Sequence, residues 1–437
     1  MDFQRNFFDI SGTLTVRIPE GTGTTTLSIR EHNRMHVVLL NQFFWPDTIA
    51  TSQFLTDLAE VLAEENEVTA ICGESRSDVS HTGAWPGQRI SIIRTRNLAF
   101  GRNGYMRVAS YISYLAGTLW HGLWLRRPTI YVTLTTPPVL SVLGSVLSML
   151  RRTQHVIWEM DVYPDIATDV GYFSKNGIID RIFGPALDWS RRRATAIIVL
   201  GEDMKARLVA RGIPECKIEV ADNWADGREI TPRPFPEGPL VIHYSGNLGI
   251  AHETDTIADL IRRLGNHPDF HFIFSGSGSK RPRLEELCSN EDLSNVDFRP
   301  YCPRSELGHS LSEGHIGLVT QLPKTVGSVV PSKIYGIMAA GRPLLYVGPN
   351  ESTPARHIRR FDCGWRFAPG DTDALEQLLL KLNDNRSLVV EAGARARKAF
   401  EENFDRPIGI ARIVKILRIE SHFRELIPGF SESAKGD

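Results

Sequence analysis

From Met35 onward, short runs rich in β-branched and aromatic residues alternate with longer stretches of helical periodicity, a pattern that builds βαβ units and parallel sheets. Strands are expected at 35–40, 67–72, 90–95, 129–134, 155–160 and 195–200, with a short one near 217–220. Helical periodicity covers Gln53–Glu64 and Asp203–Arg211. The alternation breaks at 226–238, where Pro232, Pro234 and Pro236 stand in a stretch without apolar period, so this reads as a linker. It resumes at Leu240-Val241-Ile242-His243-Tyr244, with strands expected near 271–275, 295–298, 315–319, 343–347 and 364–367. The expected class is therefore α/β, with doubly wound domains at 35–225 and 239–404 facing a cleft. At 437 residues the chain is long enough for two cores of that kind.

Charge and cysteine usage narrow the function. Fifty Lys and Arg against 51 Asp and Glu leave a formal net charge of −1, which offers no footprint for a dedicated nucleic-acid binder. Cys72, Cys216, Cys288, Cys302 and Cys363 lie far apart with no C-x-x-C, so neither a disulfide framework nor a zinc site is expected, and a cytoplasmic setting fits. Residues 1–34 lack an apolar core for a secretory signal and are expected to be an unstructured or mis-assigned extension, with Met35 the functional start. The apolar run Val139 to Leu150 is too short to span a bilayer and reads as a buried helix. Segment 102–127 mixes Tyr105, Tyr111, Tyr114, Trp120 and Trp124 with Arg102, Arg107, Arg126 and Arg127. It reads either as a core helix with solvated ends or as a peripheral contact with the cytoplasmic face of a membrane.

Parallel sheets bind ligands beyond the carboxyl ends of their strands, so those loops hold the candidate site. After Tyr244 comes Ser245-Gly246-Asn247-Leu248-Gly249, small enough to bring backbone amides to a phosphate, or simply to turn tightly into a helix near Thr254. The next strand ends in Ser275-Gly276-Ser277-Gly278-Ser279-Lys280-Arg281, a second small-residue loop with positive charge. In the segment Gly327 to Tyr346, Pro331 suits a first helical turn, Ser332 and the free amides suit an anion, and Lys333 supplies charge. Gly341 then stops the helix ahead of Arg342-Pro343.

These segments, with Asn41-Gln42-Phe43-Phe44-Trp45-Pro46-Asp47, Thr135-Thr136-Pro137-Pro138, Trp158-Glu159-Met160-Asp161-Val162-Tyr163-Pro164-Asp165 and Ile198 to Met204, resemble glycosyltransferase family 4. Within it they are similar to the bacterial exopolysaccharide and N-acetylfucosamine transferase-like branch. The resemblance runs through most of 35–420 and implies the GT-B fold: two Rossmann-like domains, with a C-terminal helix over 405–425 crossing back to the first.

It further implies a retaining, metal-independent hexosyl- or N-acetylhexosaminyl transferase acting in cell-surface polysaccharide assembly. The nucleotide-diphosphate sugar is then a substrate, no cofactor is expected, and the acceptor is a glycan or lipid-linked. Donor binding is assigned to Gly246, Asn247, Gly249, Ser277, Lys280, Pro331, Ser332 and Lys333. Asp161 is assigned to the chemistry as the group that orients a hydroxyl, with a turn or helix cap as its other reading. The acceptor-side loop is Phe44, Trp45, Thr51 and Ser52. One departure stands out: the family's Glu-x7-Glu element falls on Ser328 and Gly336, neither of them a carboxylate. A non-catalytic nucleotide-sugar binder and a sugar-nucleotide epimerase on the same architecture are the competing readings. His121, His155, His252 and His309 lack metal-ligand spacing and read mostly as structural or exposed.

Overall fold

The computed structural model describes residues 13–20, 23–30, 34–74, 89–98, 104–172, 174 and 177–425. Strands β1 (Thr13–Glu20) and β2 (Gly23–Arg30) pair antiparallel, Thr13 opposite Arg30 and Glu20 opposite Gly23, as a separate two-stranded sheet. The expectation of an unstructured front end does not hold for these two strands. Their Thr, Val and Ile residues favour extended backbone, and the antiparallel ladder pairs their backbone groups. The rest of 1–34, apart from Arg34, lies outside the described residues.

The first parallel sheet contains β3 (His36–Leu40), β4 (Glu67–Cys72), β5 (Ile90–Arg94), β6 (Ile130–Thr133), β7 (Gln154–Glu159), β8 (Ala196–Val199) and β9 (Ile218–Val220), in the order β5-β4-β3-β6-β7-β8-β9. The second contains β10 (Leu240–Ser245), β11 (Phe270–Ser275), β12 (Val296–Arg299), β13 (Ile316–Thr320), β14 (Leu344–Val347) and β15 (Gly364–Phe367), in the order β12-β11-β10-β13-β14-β15. Helices cover both faces, so central strands are buried throughout and read as continuous apolar runs. In each sheet the strand order reverses beside the first strand, between β3 and β6 and between β10 and β13. The crevice at each reversal is where a ligand fits.

The proline-rich stretch is held against the second domain. Arg342, 2% exposed, donates to the carbonyls of Arg233 and Pro234, both at 3.1 Å, and of Ser312 at 2.8 Å. Its guanidinium lies 4.1 Å from the centre of the Phe235 ring. The two domains meet over an extensive polar seam. Asp203 accepts from the backbone N–H of Thr353 at 3.2 Å and from its hydroxyl at 2.6 Å. Asp222 accepts from the Tyr335 hydroxyl at 3.1 Å and pairs with His357 at 2.9 Å. Val330 packs in the core of the first domain, as do Ile410, Ile413 and Leu417 of helix Arg406–Glu425. Arg406 pairs with Asp57 at 3.3 Å and Asp226 at 3.2 Å.

Helix Leu140–Arg151 buries Leu140, Gly144 and Leu147 but leaves Met149 and Leu150 exposed, so the buried-helix reading of 139–150 fails at its last turn. Among the described residues no helix is long and apolar enough to cross a membrane.

Candidate functional site

The loops after β10 and β11 are zipped together by backbone bonds. Gly246 N–H donates to Ser275 O at 2.8 Å, Leu248 N–H to Ser277 O at 2.6 Å, and Lys280 N–H to Leu248 O at 3.1 Å. A Cβ on Gly276 would stand 2.2 Å from Gly246 O, and one on Gly278 would stand 2.3 Å from the Leu248 backbone. Those two glycines therefore serve loop-to-loop packing. Gly246, at φ +125°, is different: a Cβ there would meet only the end of Lys333, at 3.6 Å. Gly246 thus keeps the space in front of that ammonium open.

Lys333 is the first residue of helix Lys333–Ala339, preceded by buried Pro331 and by Ser332, whose side chain caps nothing. Its Nζ bonds the Tyr244 hydroxyl and sits 3.7 Å from the centre of that ring. No carboxylate among the described residues lies within ion-pair distance of it, and burial pulls its pKa down to about 7. A partly buried cation without a counter-ion at a topological switch point is a receptor for an anion.

His252 closes the other side. Its ring meets Tyr244 edge-on with centroids 5.8 Å apart, and Nδ1 lies 2.8 Å from the Thr320 carbonyl. Burial, with the charges of Lys333 and Lys280 adding to it, lowers its pKa to about 3, so the ring is neutral. A carbonyl only accepts, so Nδ1 carries the proton toward Thr320, and the Asn247 backbone is a further partner of the ring. Lys280, expected to bind the donor, spends its ammonium on the His252 carbonyl. Arg281 likewise bonds the carbonyls of Gly276 and Arg299 and the Glu285 carboxylate. Ser277 is exposed and contributes its carbonyl to the loop zipper, and the exposed Asn247 gives its carbonyl to the Tyr244 hydroxyl at 2.9 Å. A Cβ on Gly249 would meet only the Asn247 amide, at 3.2 Å.

Across the cleft, Asp161 follows β7. Burial and then the charge of Glu159 raise its pKa to about 6. It caps no helix: the next one, Asp165–Asp169, starts four residues later behind Pro164. Instead its backbone bridges to Val329 of the second domain, and Val162 N–H donates to Ser328 O at 2.8 Å. Underneath, Glu159 is paired with fully buried Arg191 at 2.8 Å, and Arg191 also bonds the Tyr163 carbonyl at 2.7 Å. Asp161 is thereby set beside the loop that leads to Lys333.

The acceptor-side expectations need correction. Phe44 and Ser52 are both 0% exposed, Phe44 within the first core, so neither lines an open surface. The alternation of side chains in a loop carries no period from which that inward turn could be read. Trp45 packs against the same core, and its carbonyl accepts from Arg94 at 2.6 Å. The hydroxyls of Thr51, Ser52 and Thr135, with Asn41 Oδ1 and Gln42 Oε1, are buried without hydrogen-bond partners among the described residues. Asn41, Gln42 and Thr135 follow β3 and β6 at the switch point, a position legible from strand order alone. At the departed family element, the Ser328 hydroxyl bonds Asp169 at 2.7 Å, while a Cβ on Gly336 would face Leu311 and Ile230. The chain's single Asp-x-Asp, Asp371-Thr372-Asp373, opens helix Thr372–Asp384, and Asp373 pairs with Arg263 at 2.6 Å.

The chain is similar to known glycosyltransferases. Residues 227–399 match the family described as Glycosyl transferases group 1. The chain is 24% identical over 303 residues to the probable glycosyltransferase WbjE of Pseudomonas aeruginosa, covering 67% of this chain and 75% of that one. It is 31% identical over 107 residues to the putative colanic acid biosynthesis glycosyl transferase WcaI of Escherichia coli K12, covering 24% and 26%. Its fold matches Anabaena HepE, solved with UDP and glucose, at a TM-score of 0.68 and 14% identity, over 88% of this chain and all of that one.

Proposed function

We propose that this chain, a glycosyltransferase of the GT-B fold, moves a hexosyl or N-acetylhexosaminyl unit from a nucleotide-diphosphate sugar to a glycan or lipid-linked acceptor in cell-surface polysaccharide assembly. The observation that carries the reading is Lys333, a cation with no counter-ion behind Gly246 at the β10/β13 switch point. A leaving diphosphate gains negative charge in the transition state, and a fixed ammonium there lowers the barrier by several kcal/mol without needing a metal. His252, neutral, adds no second charge beside Lys333. Asp161 can accept from a sugar or acceptor hydroxyl.

Retention follows a front-face displacement in this reading. The bond from the anomeric carbon to the phosphate oxygen breaks, the bond to the acceptor oxygen forms, and the departing phosphate takes the hydroxyl proton. No protein base is then required. WcaI, named for colanic acid biosynthesis, supports the polysaccharide setting, and the UDP and glucose held by HepE make uridine diphosphate sugars the first donors to test.

The test is thermal stabilisation by a panel of nucleotide-diphosphate sugars, followed by transfer with the best binder. Stabilisation by at least one, lost in Lys333→Ala, is expected; no stabilisation by any of them overturns the reading. The missing carboxylates at Ser328 and Gly336 favour one second reading, a binder without catalysis. Stabilisation without transfer or donor hydrolysis would select it.

A further inference from the structure

Helix Gly104–Trp124 is apolar on two sides: Leu115, Leu119 and Leu123 pack against the core of the first domain, yet large apolar side chains also face solvent. The side chains it buries every fourth residue are Ser110, Tyr114 and Thr118, followed by Gly122. The face it turns to solvent carries Val108, Ile112, Trp120 and Trp124, of which Ile112 is 62% exposed, Trp120 63% and Trp124 74%. A surface helix of a soluble domain turns polar residues outward, so a continuous outward apolar stripe marks an interaction surface. Met149 and Leu150, exposed at the end of the neighbouring helix, add to it.

Charge identifies what covers this stripe. From Val79 to Trp158 the chain carries nine arginines and no aspartate or glutamate, although the whole protein is close to neutral. Arg126, Arg127 and Arg152 are exposed just beyond the ends of the two helices. Tryptophans in an apolar stripe bordered by arginines, on a helix with no acidic residue, complement the acyl boundary and phosphates of an anionic bilayer. The helix packs on its own sheet, so it lies along the surface rather than crossing.

The same helix reaches the acceptor side of the cleft. Ser110, on its buried face, receives a hydrogen bond at 3.0 Å from Gln42, which follows β3 at the switch point. We propose that the outward face of Gly104–Trp124 seats in an anionic lipid surface and that the acceptor is taken from that surface, its lipid remaining in the bilayer. Residues 102 and 103 of the segment expected to make such a contact lie outside the described residues. Docking stands independently of the transferase reading; the lipid-borne acceptor rests on it.

The experiment is flotation of the full chain with vesicles of phosphatidylethanolamine and phosphatidylglycerol against vesicles of phosphatidylcholine. Binding at least about tenfold stronger to the anionic vesicles and weakened by salt is expected. Trp120→Glu with Trp124→Glu should abolish flotation while leaving donor-induced thermal stabilisation intact, and Arg126→Glu with Arg127→Glu, which touches no packed side chain, should abolish the lipid preference. Docking is overturned if the wild-type chain does not float, if both variants float like it, or if sedimentation shows a dimer that the tryptophan variant splits without changing flotation. Faster transfer to an acceptor lipid in anionic vesicles than to the same glycan free in solution supports the acceptor claim, and equal rates overturn it. Flotation with no transfer to any acceptor removes the transferase reading alone.

Discussion

The Lys333 ammonium lies 3.7 Å from the centre of the Tyr244 ring, although 89 residues separate the two in the chain. Tyr244 is on β10 and Lys333 follows β13, and these strands are neighbours only because the sheet reverses its order there. The ring face offers the ammonium partial compensation for lost water, enough to hold it but not to replace a counter-ion. In the proposed reading, a bound diphosphate would supply that counter-ion.

Lys333→Ala is therefore expected to weaken binding of a nucleotide diphosphate by about 1.5–3 kcal/mol, the range for hydrogen bonds to charged groups. Isothermal titration reads this directly. The sign of the pH dependence follows from a pKa near 7. Below it the lysine is charged and affinity for a nucleotide-diphosphate sugar is full. Above it, binding must take up a proton, and affinity should fall toward about tenfold per pH unit. In Lys333→Ala that slope should vanish; a slope that survives would assign it to another group.

Burial and the charge of Glu159 raise the Asp161 pKa to about 6, so the carboxylate proposed to accept a hydroxyl hydrogen bond forms as pH rises through that value. Transfer rate should rise over the same interval. Asp161→Asn should lower kcat, lose this acidic limb and leave nucleotide diphosphate affinity within about twofold. Loss of affinity comparable to that of Lys333→Ala would move Asp161 to the donor side.

Gly278→Ala tests the loop zipper. The added methyl would stand 2.3 Å from the Leu248 backbone at φ +138°, so the two loops must separate. Donor-induced stabilisation should disappear while the urea midpoint falls only modestly, because both sheets remain intact. Unchanged donor binding would show that the zipped loops do not shape the site.

Arg191→Met leaves Glu159 buried without its partner and removes a donor from the Tyr163 carbonyl. A loss of about 3–5 kcal/mol in unfolding free energy is expected, the cost of one uncompensated buried charge. Glu159→Gln with Arg191→Met should recover much of it, and equal losses in the single and double variants would argue against a paired role.

Strand order and fold class are legible in the sequence because apolar period is a property of neighbouring residues. Every strand expected from Met35 onward lies within two residues of an observed one, and the loops after β10 and β11 stand where the strand ends place them. Lys333 is readable too, as a lysine opening a helix after a strand. Its partner is not, since nothing local in Leu240–Ser245 distinguishes Tyr244 from a core aromatic.

Tertiary structure decided the rest. It spent Lys280 and Arg281 on carbonyls, turned Phe44 and Ser52 inward, and made His252 a neutral wall of the site. It also chose which face of Gly104–Trp124 to bury: the period of the sequence marks two apolar faces, and only packing against β4 and helix Leu140–Arg151 leaves the one with Trp120 and Trp124 outward. Helical and strand periods arise from one stretch of backbone, whereas burial, hydrogen-bond partners and cation contacts depend on chain segments far apart in sequence that only the closed sheets bring together.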